Sequence, residues 1–129
     1  MIYYAEDDRG IRELVVYTLK NTGFEAEGFS DGRELLEAMS KRTPELVLLD
    51  IMMPGLNGWE VTKKIRETSN LPVIILTARS EEFDELMGYE SGADDYVTKP
   101  FSPTILMKRV QALLRRSDPR FSNASHGVN

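Results

Sequence analysis

The chain has 129 residues, of which 41% are hydrophobic, and it contains no cysteine. This length suits one domain with one core, and the lack of cysteine excludes disulfides and thiolate metal sites and fits a reducing, cytoplasmic compartment. The net charge of −5 is uneven, because residues 1–100 hold 11 basic and 20 acidic side chains whereas residues 101–129 hold five and one. An acidic body binds nucleic acid poorly, and no apolar stretch approaches the length of a membrane span. We therefore expect no membrane partner, and DNA binding only through a part of the molecule outside this sequence.

The first half of the chain predicts three strands and two helices. Ile2–Ala5 has the pattern of a strand, and residues 10–21 carry apolar side chains on one helical face. Residues 24–30 predict a second strand, and Asp31 is a suitable N-cap for a second helix. Leu46–Asp50 is an apolar run that ends on a carboxylate and is bounded by turn signals. That pattern is typical of a strand buried on both faces.

The second half of the chain continues the alternation of strands and helices. The predicted elements are a third helix capped by Asn57, a fourth strand over residues 71–77, a fourth helix capped by Ser80, a fifth strand over residues 96–98, and a last helix that Pro103 opens. The fourth helix is acidic and thinly apolar, so we expect it to be the least firmly held. Ser117 and the residues after it show no periodicity and predict a linker or tail.

Five alternations of strand and helix predict an α/β fold of the (βα)5 kind, a doubly wound, flavodoxin-like, five-stranded parallel sheet. Right-handed crossovers place the carboxyl end of every strand on one edge of the sheet. The polar residues at those ends are distant in sequence but are expected to meet: Asp7, Asp8, Asp50, Thr77 and Lys99. The sequence therefore predicts a site at this edge.

The residue types expected at this edge point to phosphoryl chemistry. Carboxylates that lie close together repel one another unless a cation sits among them, and oxygen ligands without His or Cys favour Mg²⁺. Asp50 is then a candidate nucleophile that accepts a phosphoryl group as an acyl phosphate. Mg²⁺ and Lys99 are expected to neutralise the charge that develops during transfer.

Four motifs stand in order at the predicted strand ends. They are Glu6-Asp7-Asp8, the run from Leu48 to Gly58, Thr77-Ala78-Arg79 and Lys99-Pro100-Phe101. Over residues 1–116 the chain resembles the CheY-like receiver domain of two-component response regulators. The resemblance implies a signalling switch rather than an enzyme for another substrate, one that catalyses only its own Mg²⁺-dependent phosphorylation and dephosphorylation.

The resemblance also implies roles for individual residues. Asp50 is implied to accept the phosphoryl group from a sensor histidine kinase, with Lys99 and Thr77 as its catalytic partners. Thr77 and Tyr96 are implied to form the switch pair. The implied Mg²⁺ ligands are Asp7, Asp8, Asp50 and the backbone carbonyl of Met52. Glu6 is expected to flank the acid pair without binding the metal. Trp59 is expected only to pack on the third helix.

Residues 92–96, 99–103 and 113–116 resemble the OmpR/PhoB type most closely. That type carries a winged-helix DNA-binding domain after a linker, and residues 117–129 resemble the start of such a linker. It forms homodimers on phosphorylation, and the expected inter-subunit ion pairs here are Asp95 with Arg109 and Asp94 with Arg116. A third pair of the type is missing, because Glu85 and Ile105 stand at its positions, which weakens the expected dimer.

Two other functions remain open at this stage. A Mg²⁺-dependent phosphohydrolase of the haloacid-dehalogenase kind also uses an aspartate nucleophile at a strand end. Such enzymes usually carry a second aspartate two residues later, where this chain has Met52. A pseudo-receiver that binds partners without being phosphorylated is the second alternative, and the intact set of acids, Thr77 and Lys99 argues against it.

Overall fold

The structure, a computed structural model, describes residues 1–77, 92–99 and 101–117. Within these ranges the chain forms β1 (Ile2–Ala5), α1 (Arg9–Asn21), β2 (Ala26–Phe29), α2 (Gly32–Lys41), β3 (Leu46–Asp50), α3 (Gly58–Arg66), β4 (Val73–Thr77), β5 (Asp95–Thr98) and α4 (Pro103–Ser117). The helix predicted after Ser80 and the tail beyond residue 117 lie outside the described residues. None of the described helices is long and apolar enough to cross a membrane.

The strands form one sheet in the order β2-β1-β3-β4-β5, and every neighbouring pair is parallel. The side chains of β3 and β4 are buried along their whole length, which explains why both strands read as continuous apolar runs. The predicted fold class, a doubly wound five-stranded parallel sheet, is confirmed.

Two apolar clusters cover the two faces of the sheet. On one face α1 contributes Val15 and Leu19, and α4 contributes side chains that include Leu106 and Val110. On the other face α2 contributes Leu35, and α3 contributes Val61 and Ile65. Burial of these side chains supplies most of the driving force for folding, and it holds all the strand ends at one edge of the sheet.

Element ends differ from the prediction where local hydrogen bonds intervene. The second strand begins at Ala26 rather than at residue 24, because the amide of Phe24 donates to the carbonyl of Leu19 and so belongs to the end of α1. Gly23 makes this turn possible with a φ of 106°. The fourth strand begins at Val73, two residues later than predicted. The last helix includes Ser117, which the sequence assigned to the tail.

Side-chain caps fix where the helices begin. Asp31 accepts a hydrogen bond from the amide of Glu34 at 2.8 Å, as predicted. Asn57 and Glu60 form a reciprocal capping box at the start of α3. Asp8 caps α1 by accepting from the amide of Ile11 at 2.9 Å. The first turn of α1 therefore uses a carboxylate that the sequence assigned to metal binding.

Gly58 is the tightest junction between α3 and the strand that carries Asp50. Its amide donates to the carbonyl of Ile51 at 3.1 Å, and a Cβ on this residue would lie 2.9 Å from the backbone oxygen of Asp50. We expect Gly58→Ala to lower the free energy of unfolding by about 2 kcal/mol, because rigid backbone must shift. Urea denaturation followed by circular dichroism measures this.

Gly10→Ala is the matched control for this substitution. Gly10 also lies in the first turn of a helix, and an added Cβ there meets nothing closer than Asp8 Oδ1 at 3.4 Å. Alanine at this position should be neutral or stabilising by up to about 1 kcal/mol. Equal effects of the two substitutions would contradict the close approach at Gly58.

Candidate functional site

The carboxyl edge of the sheet brings together polar residues from the ends of four strands. Glu6 and Asp7 follow β1, Asp50 ends β3, Thr77 ends β4 and Lys99 follows β5. Asp50 is 6% exposed and Thr77 is 1% exposed, although both are polar. Buried polar groups are disfavoured unless they have partners, so the sequence places them there against the ordinary preference for an apolar core.

Lys99 is the cation that joins the acids of this edge. Its Nζ lies 2.8 Å from Glu6 Oε1 and 3.2 Å from Asp50 Oδ1. Its backbone amide donates to the carbonyl of Thr77 at 2.6 Å, so the ladder between β4 and β5 continues to this point. The predicted pairing of Lys99 with Asp50 is therefore present, and Glu6 is a second partner that the sequence did not indicate.

Glu6 is held on three sides. The phenol of Tyr4 donates to its Oε1 at 3.0 Å, and the amide of Asp8 donates to its Oε2 at 3.2 Å. Lys99 supplies the third donor. With 1% exposure, this carboxylate has one fixed orientation. Tyr4 and Glu6 are two residues apart, and the alternation of an extended chain places them on the same side.

Among the described residues, the acids that share one small volume are Glu6, Asp7 and Asp50, whose carboxylate oxygens all lie within 4.8 Å of one another. This group differs from the set that the resemblance implies, in which Asp8 stands beside Asp7 and Glu6 is not a ligand. Asp8 instead turns Oδ1 toward the first turn of α1. An all-oxygen group of this kind suits Mg²⁺. The carbonyl of Met52 stays a predicted ligand.

The electrostatics of the acid pair follow from burial and from Lys99. Burial raises the pKa of Asp50 to about 7, with further contributions from the hydrogen bond and the charge of Glu6, while Lys99 acts in the opposite direction. For Glu6, burial acts to raise the pKa, but the hydrogen bonds and charge of Lys99 outweigh it, so the pKa is lowered. Glu6 is thus the ionised partner of the pair, and Asp50 is the acid whose charge is least favoured.

Thr77 and Tyr96 occupy adjacent strands. The register places Thr77 opposite Thr98 and Ile75 opposite Tyr96, so the two predicted switch residues lie two positions apart on neighbouring strands. The phenol oxygen of Tyr96 accepts a hydrogen bond from Trp59 Nε1 at 2.9 Å. Sequence reasoning assigned Trp59 to packing alone, and a tryptophan in the first turn of α3 gave no sign of this contact.

The residues expected at a dimer interface are engaged within the chain. Arg109 contacts both carboxylate oxygens of Asp95, at 2.8 and 3.0 Å. Asp94 Oδ2 accepts from Arg66 and from the amide of Val73, each at 2.8 Å. The predicted pairing of Asp94 with Arg116 between subunits stays a prediction, and it faces competition from these contacts.

Arg66 ties together the opposite, amino edge of the sheet. Besides Asp94, its guanidinium donates to the carbonyls of Gly92 at 3.0 Å and Leu71 at 2.7 Å. It therefore connects the end of α3 with the chain just before β4 and just before β5.

Comparison with known proteins identifies the family. Residues 2–111 match the family model described as the response regulator receiver domain. The chain is 43% identical over 117 residues to the DNA-binding response regulator MtrA of Mycolicibacterium paratuberculosis, covering 91% of this chain and 52% of that protein. It is 44% identical over 118 residues to the alkaline phosphatase synthesis transcriptional regulatory protein PhoP of Bacillus subtilis, covering 91% of this chain and 49% of that protein.

Solved structures show the same fold. The receiver domain of the Francisella response regulator 1452 superposes with a TM-score of 0.86 at 34% identity, covering 91% of this chain and 98% of that one. The BeF3-activated DrrB receiver domain superposes with a TM-score of 0.82 at 39% identity, covering 89% and 97%. The chain spans about half the length of the curated relatives it matches. These matches show that the chain belongs to the response regulator receiver family, and that its relatives are DNA-binding transcriptional regulators of the OmpR/PhoB type.

Proposed function

We propose that Asp50 accepts a phosphoryl group from a sensor histidine kinase with Mg²⁺ as the cofactor. The observation that carries this proposal is the arrangement at the carboxyl edge, where buried Asp50 lies 3.2 Å from Lys99 Nζ and within the acid group that also contains Glu6 and Asp7. A carboxylate so placed is a nucleophile with a cation on one side and a metal-binding group on the other.

The transfer joins one oxygen of Asp50 to phosphorus and breaks the bond between phosphorus and the donor, which leaves with the bonding electrons. Lys99 places a positive charge beside the acceptor, where negative charge accumulates on the phosphoryl oxygens. Bound Mg²⁺ supplies further neutralisation of that charge. We assign its protein ligands to Asp7 and Asp50, with Glu6 in the same group and the backbone carbonyl of Met52 as a further ligand. Asp8 is omitted, because its carboxylate caps α1.

Asp50 must be ionised to attack phosphorus. Burial raises the pKa of Asp50, so the free site holds a proton more readily than an exposed carboxyl does. A cation among the acids favours the charged form. Metal binding and activation of the nucleophile are therefore coupled in this site.

The same residues connect phosphorylation to a change of shape. A phosphoryl group adds a charge of about −1.5 to −2, which attracts the hydroxyl of Thr77 and the ammonium of Lys99. We propose that Tyr96 turns inward as Thr77 moves. This movement changes the relative populations of the conformations that the face around β5 adopts. In this account the domain works as a switch, and turnover of other substrates is not part of its function.

Dimerisation is the expected output of the switch. Asp95 and Arg109 already pair within one chain, so an inter-subunit pairing exchanges one contact for an equivalent one and adds little energy, about 0–1 kcal/mol. The relative MtrA is a DNA-binding response regulator, and we propose that the switch controls transcription through a DNA-binding domain. Glu85, at a position of the missing third pair, lies outside the described residues.

A mixture of variants tests the exchanged ion pair. Asp95→Arg and Arg109→Asp, each alone, should not dimerise with beryllofluoride and Mg²⁺, because like charges face each other. An equimolar mixture should form heterodimers, because both contacts between position 95 of one subunit and position 109 of the other then join opposite charges. Light scattering measures the mass, and mixed samples that stay monomeric while the unmodified chain dimerises would contradict this interface.

Phosphorylation of Asp50 is tested with acetyl phosphate and Mg²⁺. We expect the unmodified chain to gain one phosphoryl group by intact-mass spectrometry and Asp50→Asn to gain none, because the amide is not a nucleophile. Undiminished labelling of Asp50→Asn would refute the assignment. Failure of both proteins to label or to bind beryllofluoride would favour the pseudo-receiver, and turnover of phosphate esters without lasting labelling would favour a phosphohydrolase.

The metal assignment has a matched pair of variants. Asp7→Asn removes a charge from the acid group, so labelling should need at least tenfold more Mg²⁺ to reach half its maximal rate. Asp8→Asn removes the same charge from the neighbouring residue but keeps a good N-cap, and its Mg²⁺ requirement should stay close to that of the unmodified chain. The opposite ranking would restore Asp8 as the ligand.

The raised pKa of Asp50 predicts a pH-dependent stability in EDTA. A carboxyl whose pKa is higher in the folded protein favours folding below its unfolded pKa of about 3.9 and loses that contribution as pH rises toward 7. Asn at position 50 has no charge to bury. The unfolding free energy of Asp50→Asn, measured relative to that of the unmodified chain, should therefore rise by about 2 kcal/mol between pH 4 and pH 8. Urea titrations at each pH measure the difference. Saturating Mg²⁺ should reduce it at pH 8, whereas an advantage that is constant or falls with pH would contradict the assignment.

A further inference from the structure

Trp59 and Tyr96 form a hydrogen bond that joins α3 to β5. The indole Nε1 donates to the phenol oxygen at 2.9 Å, between residues 37 positions apart in the chain. Both side chains are half-buried and pack against the apolar cluster on the α2 and α3 face of the sheet. The bond therefore links the first turn of α3 directly to the tyrosine of β5.

The first turn of α3 is fixed against the backbone of Asp50. Gly58 precedes Trp59, donates its amide to the carbonyl of Ile51, and approaches the backbone oxygen of Asp50 more closely than any residue with a Cβ could. The indole is thus carried by a segment whose position is set by the acceptor strand. The contacts of Gly58 therefore define the backbone position from which the indole N–H of Trp59 reaches Tyr96.

We propose that Trp59 is a positioning residue for Tyr96, whose indole N–H holds the phenol in the unphosphorylated arrangement and releases it when the switch operates. The inference rests on the proposed function, since it concerns the inward turn of Tyr96 after Asp50 is modified. An indole N–H has one donor and no acceptor, so it can favour only arrangements in which the phenol oxygen faces it. This hydrogen bond must break when Tyr96 turns inward, so it disfavours the switched conformation by the free energy of one hydrogen bond.

A single indole signal reports this bond. The chain has one tryptophan, so a ¹⁵N–¹H correlation spectrum of the full chain contains one indole cross-peak. We expect that cross-peak to move when Mg²⁺ and beryllofluoride are added, because Nε1 loses the phenol oxygen as a partner. In Tyr96→Phe, which lacks the acceptor, the cross-peak should start at a displaced position and change little on addition.

Calorimetric titration with beryllofluoride measures how far the bond opposes the switch. Trp59→Phe keeps an aromatic ring and removes the donor, and it should bind beryllofluoride about fivefold more tightly in the presence of Mg²⁺, the factor for one typical hydrogen bond. In a Tyr96→Phe background the same substitution should leave the affinity unchanged. A purely structural role of Trp59 would change the affinity equally in both backgrounds.

The outcomes separate this inference from the proposed function. If beryllofluoride binds but the indole cross-peak of the unmodified chain stays in place, or if Trp59→Phe has the same effect in both backgrounds, Trp59 does not position Tyr96 and Asp50 remains the acceptor. If beryllofluoride gives no heat and acetyl phosphate gives no mass gain, the proposed function fails and the inference fails with it.

Discussion

The ammonium of Lys99 stands between the carboxylates of Glu6 and Asp50, at 2.8 and 3.2 Å, and the rest of the site depends on that contact. Two buried acids this close repel each other, and removing the cation between such charges leaves an uncompensated charge that destabilises a fold by several kcal/mol. The sheet order explains how the contact arises. Lys99 follows β5 and Glu6 follows β1, and both lie at the same edge because every strand is parallel.

Counting only residues 1–77, 92–99 and 101–117, the acid group holds more negative than positive charge. One ammonium serves two buried carboxylates, and Asp7 adds a third carboxylate at the exposed side. The two apolar faces of the sheet hold these groups together despite their repulsion, since β3 and β4 are buried throughout. The repulsion at the carboxyl edge is therefore offset by apolar burial on the two faces of the sheet.

The fold and the centre of the site were predictable because each depended on local patterns. Continuous apolar runs predicted β3 and β4. Asp50 and Lys99 were assigned to the site because each stands at the carboxyl end of a predicted strand. Expectation and structure differ where one residue type suits two roles. Asp8 suits both a metal site and an N-cap, and its hydrogen bond from the amide of Ile11 becomes evident only in the folded structure. Glu6 was underrated because its partners, Tyr4 and Lys99, are recognisable only once β1 and β5 are in place.

Contacts between distant residues were the least accessible to sequence reasoning. No spacing rule connects Arg66 to Asp94 or Trp59 to Tyr96, because these pairs depend on how α3 packs against the sheet rather than on periodicity. The interface residues show the same limit. Asp95 and Arg109 were recognised as partners, but the sequence does not distinguish a pairing within one chain from a pairing between two.

The guanidinium of Arg66 has a mechanical consequence. It fastens the end of α3 to the chain before β4 and before β5, at the edge of the sheet remote from Asp50. The planar guanidinium holds its donors in a fixed geometry. One side chain therefore restrains three separate segments at once, and its loss would loosen α3, β4 and β5 together rather than one after another.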